Sequence, residues 1–192
     1  MTHQVYAFEP PERFVAGTVG PPGERTFFLQ ARGGGRVVSV ALEKVQVALL
    51  AEKLEELLGE AARRFGVEVA QAVIASTDND PLDTPLDEEF RVGTLGLAFD
   101  VDTATVVIEA IAVGEDDEEE EAEALDNLDE LDDEEATADR DRLRVRLTPQ
   151  ATLAFIERAK RVVASGRPPC PLCGQPLDPR GHLCPRHNGY RR

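Results

Sequence analysis

The chain has 192 residues, 37 acidic side chains against 21 basic ones and a formal charge of −16. Such a length suits one domain core of about 100–150 residues with appendages. The first twenty residues, which include Glu9, Pro10, Glu12 and Arg13, lack the basic start and apolar run of a signal peptide, and no later stretch reaches the ~18 uninterrupted apolar residues of a membrane span.

The three cysteines are odd in number and fall in one short segment, which points away from a disulfide framework and towards metal ligation in a reducing compartment. A cytoplasmic address, with no membrane partner, is therefore expected. The charge is local: residues 114–139 hold sixteen Asp or Glu and no Lys or Arg, which leaves 21 acids against 21 bases elsewhere. A near-neutral body carrying one acidic tract is what needs explaining.

Four short segments open the chain, Gln4 to Phe8, Arg13 to Val19, Arg25 to Ala31 and Arg36 to Leu42, each rich in Val, Phe, Tyr or Thr. Between them lie Glu9-Pro10-Pro11-Glu12, Gly20-Pro21-Pro22-Gly23 and Gly33-Gly34-Gly35, turn clusters that suit an antiparallel meander. From Leu42 to Phe65 the period changes. Val45, Leu49, Leu50, Leu54, Leu57, Leu58 and Phe65 recur at three and four residues, which predicts one amphipathic helix ending at Gly66.

Asp78 to Asp87 carries two prolines among several acids and reads as an exposed connection. Phe90 to Phe99 and Thr105 to Val113 are apolar and β-branched, with Asp100-Val101-Asp102 as the hairpin turn between them. Asp141 to Leu147 alternates, with Leu143, Val145 and Leu147 on one side and Arg142, Arg144 and Arg146 on the other, the pattern of a half-buried strand. Thr148 is the expected N-cap, Pro149 the first helical residue, and Ala151 to Ala164 the second helix. Ser165-Gly166-Arg167-Pro168-Pro169 then reads as a hinge. The predicted class is α+β: a mostly antiparallel sheet with two helices on one face, in a domain spanning 1–165 with an acidic disordered insert at 114–139, followed by a small zinc-ribbon-like tail at 166–192.

In that tail Cys170-Pro-Leu-Cys173-Gly174 is followed by Gly181-His182-Leu183-Cys184-Pro185-Arg186-His187. Two cysteines two residues apart can turn both sulfurs to one tetrahedral ion, and a second Cys/His pair can supply the other corners. Cys170, Cys173 and Cys184 are the expected zinc ligands. The fourth corner has two candidates: the spacing Cys184-x-x-His187 mirrors the first knuckle, whereas His182-x-Cys184 is a tighter chelate. A filled tetrahedron leaves no corner for water, so a structural Zn2+ is expected rather than a catalytic one, and a tail with few large apolar side chains needs the ion to order it.

Arg167, Arg180, Arg186, Arg191 and Arg192 surround this cluster, so nucleic-acid contact is an alternative, although only Tyr190 is available for stacking. The acidic tract, with Leu125, Leu128 and Leu131 among Asp and Glu, reads as a solvated loop or a docking segment for a basic partner. No enzyme pattern is complete: Gly33-Gly34-Gly35 has no following Lys-Ser/Thr, no serine stands in a nucleophile elbow, and Asp100 and Asp102 sit in a turn. A hydrolase-type enzyme remains the second alternative.

The stretches Arg13-Phe-Val-Ala-Gly-Thr-Val-Gly20, Arg25-Thr-Phe-Phe-Leu-Gln-Ala31, Glu89-Phe-Arg-Val-Gly-Thr-Leu-Gly-Leu97, Gly166-Arg-Pro-Pro-Cys-Pro-Leu-Cys173, Gly181-His-Leu-Cys184 and Asn188-Gly-Tyr-Arg-Arg192 together resemble a bacterial family, the domain of unknown function numbered three thousand and ninety. The resemblance covers nearly the whole chain except the acidic tract, which is longer here than the family pattern. It implies the ligand set Cys170, Cys173, His182 and Cys184, with no histidine expected at position 187. It also implies a pathway shared with a histidine-phosphatase-like and a lipid-kinase-like protein, and it brings no activity of its own. The resulting expectation is a cytoplasmic zinc-binding protein that acts as a non-catalytic binding or adaptor component for another protein.

Overall fold

The computed structural model describes residues 3–67, 78–114 and 139–166, together with Cys170, Leu172 and Cys184. Among these residues seven strands and two helices follow in chain order: β1 (Val5–Phe8), β2 (Arg13–Val19), β3 (Thr26–Gly33), β4 (Arg36–Leu42), α1 (Lys44–Phe65), β5 (Glu88–Asp100), β6 (Thr105–Ala112), β7 (Arg142–Leu147) and α2 (Pro149–Ala164). The strands form one sheet in the order β1-β7-β6-β5-β4-β3-β2.

That order overturns the expectation of a mostly antiparallel sheet, because the sheet is mixed: β1 pairs with β7, and β4 with β5, in parallel. The β4–β5 pairing follows from the connection between them. A parallel neighbour needs a crossover to carry the chain back to the starting end of the sheet, and the connection through α1 provides one, whereas a tight turn would reverse the strand. The hairpins β2–β3, β3–β4 and β5–β6 and the β6–β7 pair are antiparallel. The expected four-stranded meander is therefore only β2–β3–β4, and β1 leaves it to join the far edge.

Strand β1 and strand β2 lie at opposite ends of the sheet, yet only Glu9–Glu12 separates them. A flat sheet would put them about 29 Å apart, whereas four residues reach at most about 17 Å. The sheet must therefore roll. Contacts across the gap record it: Arg36 donates to the Ala7 carbonyl at 3.3 Å and its guanidinium lies 5.2 Å from the centre of the Phe8 ring. The Phe8 ring also lies 3.2 Å from where a β-carbon at Gly33 would sit.

One face of the rolled sheet holds the core. Tyr6, Phe8, Phe14, Ala16, Leu29, Val40, Ile108, Leu143 and Val145 meet Leu50, Leu54, Phe155 and Ile156 from the two helices in a single cluster. Phe14 stacks on Phe155 with ring centres 4.7 Å apart. Both helices begin and end where local chemistry places them. Gly66, at φ 65°, takes the left-handed conformation that closes α1 and donates to Ala62 at 3.1 Å. Thr148 Oγ1 accepts from the Ala151 N–H at 3.2 Å, with Pro149 in the first turn of α2. The alternation read in β7 holds, since Leu143, Val145 and Leu147 are buried. The hairpin turn falls at 101–104, after a β5 that begins at Glu88 and runs to Asp100.

The opposite face of β2–β4 is covered by residues 78–87, which are more than a plain exposed connection. Leu82 fills the niche left by Gly17, and Gln30, buried in the middle of β3, grips Asp83 by both of its main-chain groups. Gln30 Nε2 donates to the Asp83 carbonyl at 3.0 Å and Oε1 accepts from its N–H at 2.7 Å.

Candidate functional site

Two constellations stand out, one at the start of the tail and one at the free edge of β2. The tail leaves α2 at Ser165, whose N–H donates to the Arg161 carbonyl and whose Oγ donates to Val162 at 2.8 Å. Arg25, in the turn before β3, donates to the Ser165 carbonyl at 2.8 Å and to its Oγ at 3.1 Å. The exit point of the tail is thus tied to the first half of the sheet.

Beyond it the structure places two of the candidate ligands. Cys170 and Cys184 are buried, 6% and 8% exposed, and their sulfurs lie 3.9 Å apart without a disulfide between them. Fourteen positions separate them in the chain, so the approach is made by folding and not by adjacency. Two sulfurs bound to one tetrahedral zinc at about 2.3 Å stand about 3.8 Å apart, so the observed spacing fits that donor set. Cys173, His182 and the alternative His187 lie outside the described residues, as do the arginines of the tail and residues 115–138 of the acidic tract. Among the described residues no group of three or more His, Cys, Asp or Glu is arranged to hold a metal ion.

At the other site, Arg13 from the start of β2 and Arg158 from the middle of α2 converge on Asp78. Arg13 grips the carboxylate with two nitrogens, Nε to Oδ2 at 2.7 Å and Nη2 to Oδ1 at 3.0 Å. Its Nη1 reaches Asp83 Oδ2 at 3.1 Å, and Arg32 takes the other Asp83 oxygen at 3.0 Å. Arg158 is only 7% exposed and donates to four acceptors: Asp78 Oδ1 at 2.7 Å and the carbonyls of Ala16, Asp78 and Asp80 at 2.7–2.9 Å. Glu12, Arg13, Arg32, Asp78, Asp80 and Asp83 line an open cleft of about 300 Å³.

The electrostatics of this cleft are those of a clasp. The hydrogen bonds from Arg13, with the nearby charge of Arg158, hold the Asp78 carboxyl below its ordinary range despite partial burial. Asp78 and then Asp83 raise Arg13 through their hydrogen bonds and charges, while burial lowers Arg158. The network's side chains are already engaged with one another, and Arg158 occupies the Ala16 carbonyl on the edge of β2, the kind of strand that otherwise invites pairing with another chain.

The sequence carried faint signals for this site. Arg158 falls on the apolar stripe of α2, three residues after Phe155 and four before Val162, where a solvated arginine does not belong. Gly17 interrupts a strand of bulky residues, and Gln30 sits amid buried Leu29 and Ala31. None of them says that the acids of 78–83 are the partners.

Away from both sites, the arginines of β7 are matched by carboxylates. Glu109 Oε1 lies 2.9 Å from Arg144 Nε and Oε2 3.9 Å from Arg142 Nη1, while Arg146 Nη1 donates to Asp100 Oδ2 at 2.6 Å. Asp100, at the hairpin turn, accepts the Thr103 N–H at 3.1 Å, which together with Arg146 holds its carboxyl below the ordinary range.

No helix among the described residues is long and apolar enough to cross a membrane. No curated protein and no solved structure matches the chain. A family described as "Protein of unknown function (DUF3090)" matches residues 6–184, a span that takes in Cys170, Cys173, His182 and Cys184 and stops short of His187. With the match extending over nearly all of its length, the chain belongs to that family.

Proposed function

We propose that this protein is a zinc-binding component of a protein assembly, in which Cys170, Cys173, His182 and Cys184 hold one structural Zn2+ and the body, a mixed sheet with two helices, is a non-catalytic scaffold. The observation that carries the reading is the 3.9 Å separation of the Cys170 and Cys184 sulfurs, both buried and fourteen positions apart. Thiols brought that close without a disulfide are suited to share a cation. When bound, the ion supplies a cross-link between the two halves of the tail. The chain's own part is to present thiolates and a neutral imidazole, and to anchor the tail through Arg25 and Ser165. The choice of His182 over His187 is supported by the extent of the family match, which ends at position 184.

A scaffold role is supported by the state of the acids in the body. Asp78 is kept ionised by Arg13 and Arg158, and Asp100 by the Thr103 N–H and Arg146, which suits ion pairing and not proton donation near neutrality. The pairing of the β7 arginines with Glu109 and Asp100 likewise leaves that face unsuited to gripping phosphate. The assembly partner is placed in the cytoplasm, where thiols stay reduced.

Elemental analysis of the full chain, purified without chelator, tests the reading. One zinc per chain is expected, lost in Cys170→Ser and in Cys184→Ser while the far-ultraviolet spectrum of the body is kept. Metal-free wild-type protein would overturn it. Pull-down with the zinc-loaded chain addresses the partner, and salt-dependent retention on RNA or DNA near physiological ionic strength would favour the nucleic-acid alternative instead.

A further inference from the structure

Cys170 and Cys184 are two of only three cysteines in the chain, and their sulfurs touch at 3.9 Å inside a buried setting. A disulfide needs an S–S length of about 2.05 Å, so the two sulfurs are about 1.9 Å of relative movement from a covalent bond. We infer that this pair is exchangeable, closed by zinc when reduced and by a Cys170–Cys184 disulfide when oxidised, so that the tail keeps its cross-link as the metal leaves. The inference rests on the zinc reading above and adds to it a redox response.

The chemistry balances with hydrogen peroxide as the oxidant. One thiolate attacks a peroxide oxygen, the O–O bond breaks, and a sulfenic acid forms as hydroxide departs. The second thiolate then attacks the sulfenic sulfur and expels hydroxide, so the S–S bond forms as the S–O bond breaks. The sulfur pair gives up two electrons, peroxide is reduced to two hydroxides that take protons from solvent, and the ion, having lost two of its ligands, dissociates. Disulfide formation between Cys170 and Cys173 is the competing product of any Cys-x-x-Cys pair. The cross-tail product is favoured by the contact already made between Cys170 and Cys184. Their burial makes the response slow, since peroxide must reach a shielded sulfur.

The test uses the full chain, reduced and loaded with zinc, exposed to hydrogen peroxide in the presence of a chromogenic zinc chelator. Zinc release, remaining thiols and the cross-linked peptide are read together. The expected result is one zinc released per disulfide, a fall from three titratable thiols to one, and a peptide joining positions 170 and 184. Cys173→Ser should still form that cross-link and Cys184→Ser should not. Retained zinc with all three thiols intact, or a cross-link confined to Cys170 and Cys173 or running between chains, overturns the inference. A reduced sample that holds no zinc before peroxide is added shows instead that the underlying zinc reading has failed.

Discussion

Leu82 occupies the space that a side chain at Gly17 would need. A β-carbon at position 17 would fall 2.6 Å from both Cγ and Cδ2 of Leu82, well inside van der Waals contact. The glycine is therefore a socket for the segment that covers the outer face of β2–β4. Gly17→Ala should push Leu82 out of its seat and destabilise the fold by about 1–3 kcal/mol. Urea unfolding reads this directly. Combining it with Leu82→Ala should cost less than the sum of the two single changes, because the small side chains no longer compete for one space.

Arg158 should be among the most sensitive polar residues. Replacing it with methionine keeps much of its length but leaves the carbonyls of Ala16, Asp78 and Asp80 without this donor, at a cost of about 2–3 kcal/mol. Asp78 remains partly solvated and still paired with Arg13, which keeps the loss below that of a wholly buried ion pair.

Asp78 also predicts an acid dependence. Its folded-state pKa is depressed, so its stabilising contribution is present above the ordinary carboxylate range of about 4 and fades as pH falls through the lower folded value. The stability gap between wild type and Asp78→Asn should thus be widest near neutrality and shrink below about pH 4. A gap that stays constant down to pH 2 in equilibrium unfolding would contradict the clasp.

At the alkaline end the relevant group is Tyr6. Burial, the hydrogen bond it donates to Glu89 Oε2 at 2.9 Å, and the charges of Glu89 and Asp141 push its phenol up to about 12. A raised folded value means that the contribution is complete below pH 10 and lost as pH rises through 12. Ultraviolet titration should therefore show a tyrosine ionising late, near pH 12, and absent from Tyr6→Phe. That variant should lose about 1 kcal/mol at neutral pH with its hydrogen bond.

The acidic tract should be removable. Its two ends are held together without it by the Ala112 N–H on the Asp141 carbonyl at 2.8 Å, and the Val113 N–H on the Arg91 carbonyl at 3.0 Å ties the first of them to β5. Fifteen of the acids lie between 115 and 138, so replacing those residues with an uncharged short turn takes the formal charge from −16 to −1. Shortening the loop should raise stability by about 1–2 kcal/mol through closure entropy. A chain that fails to fold after this deletion would mean the tract belongs to the body.

Local pattern carried most of the elements and little of their partnership. The alternation of Leu143, Val145 and Leu147 and the three-and-four spacing of α1 were legible because a strand face and a helix stripe repeat within a few residues. Which strand lies beside Val5–Phe8 is decided more than 130 residues away, where Val5 meets Arg142. The parallel β4–β5 pairing was implicit in a helix standing between two strands, and it was obscured by the strong hairpin signals on either side. The Asp78 network was legible only in part. Arg158 was out of place on its helix, but the acids of 78–83 looked like any solvated loop until β2 and α2 were brought together. The thiol spacing of the tail pointed to a shared ion, and the structure adds the proximity of Cys170 and Cys184.

The placement of β1 against β7 has a consequence for synthesis. Among the strands of this sheet β1 is made before the others and is seated beside β7, which is made after them, so Val5–Phe8 waits unpaired until Leu147 has emerged. The β2–β3–β4 meander can zip up early, but the roll of the sheet is sealed only once β7 has been made. A nascent chain stalled before β7 would hold Tyr6 and Phe8 without their strand partners Leu143 and Val145, and chaperone recognition of β1 should persist until that point.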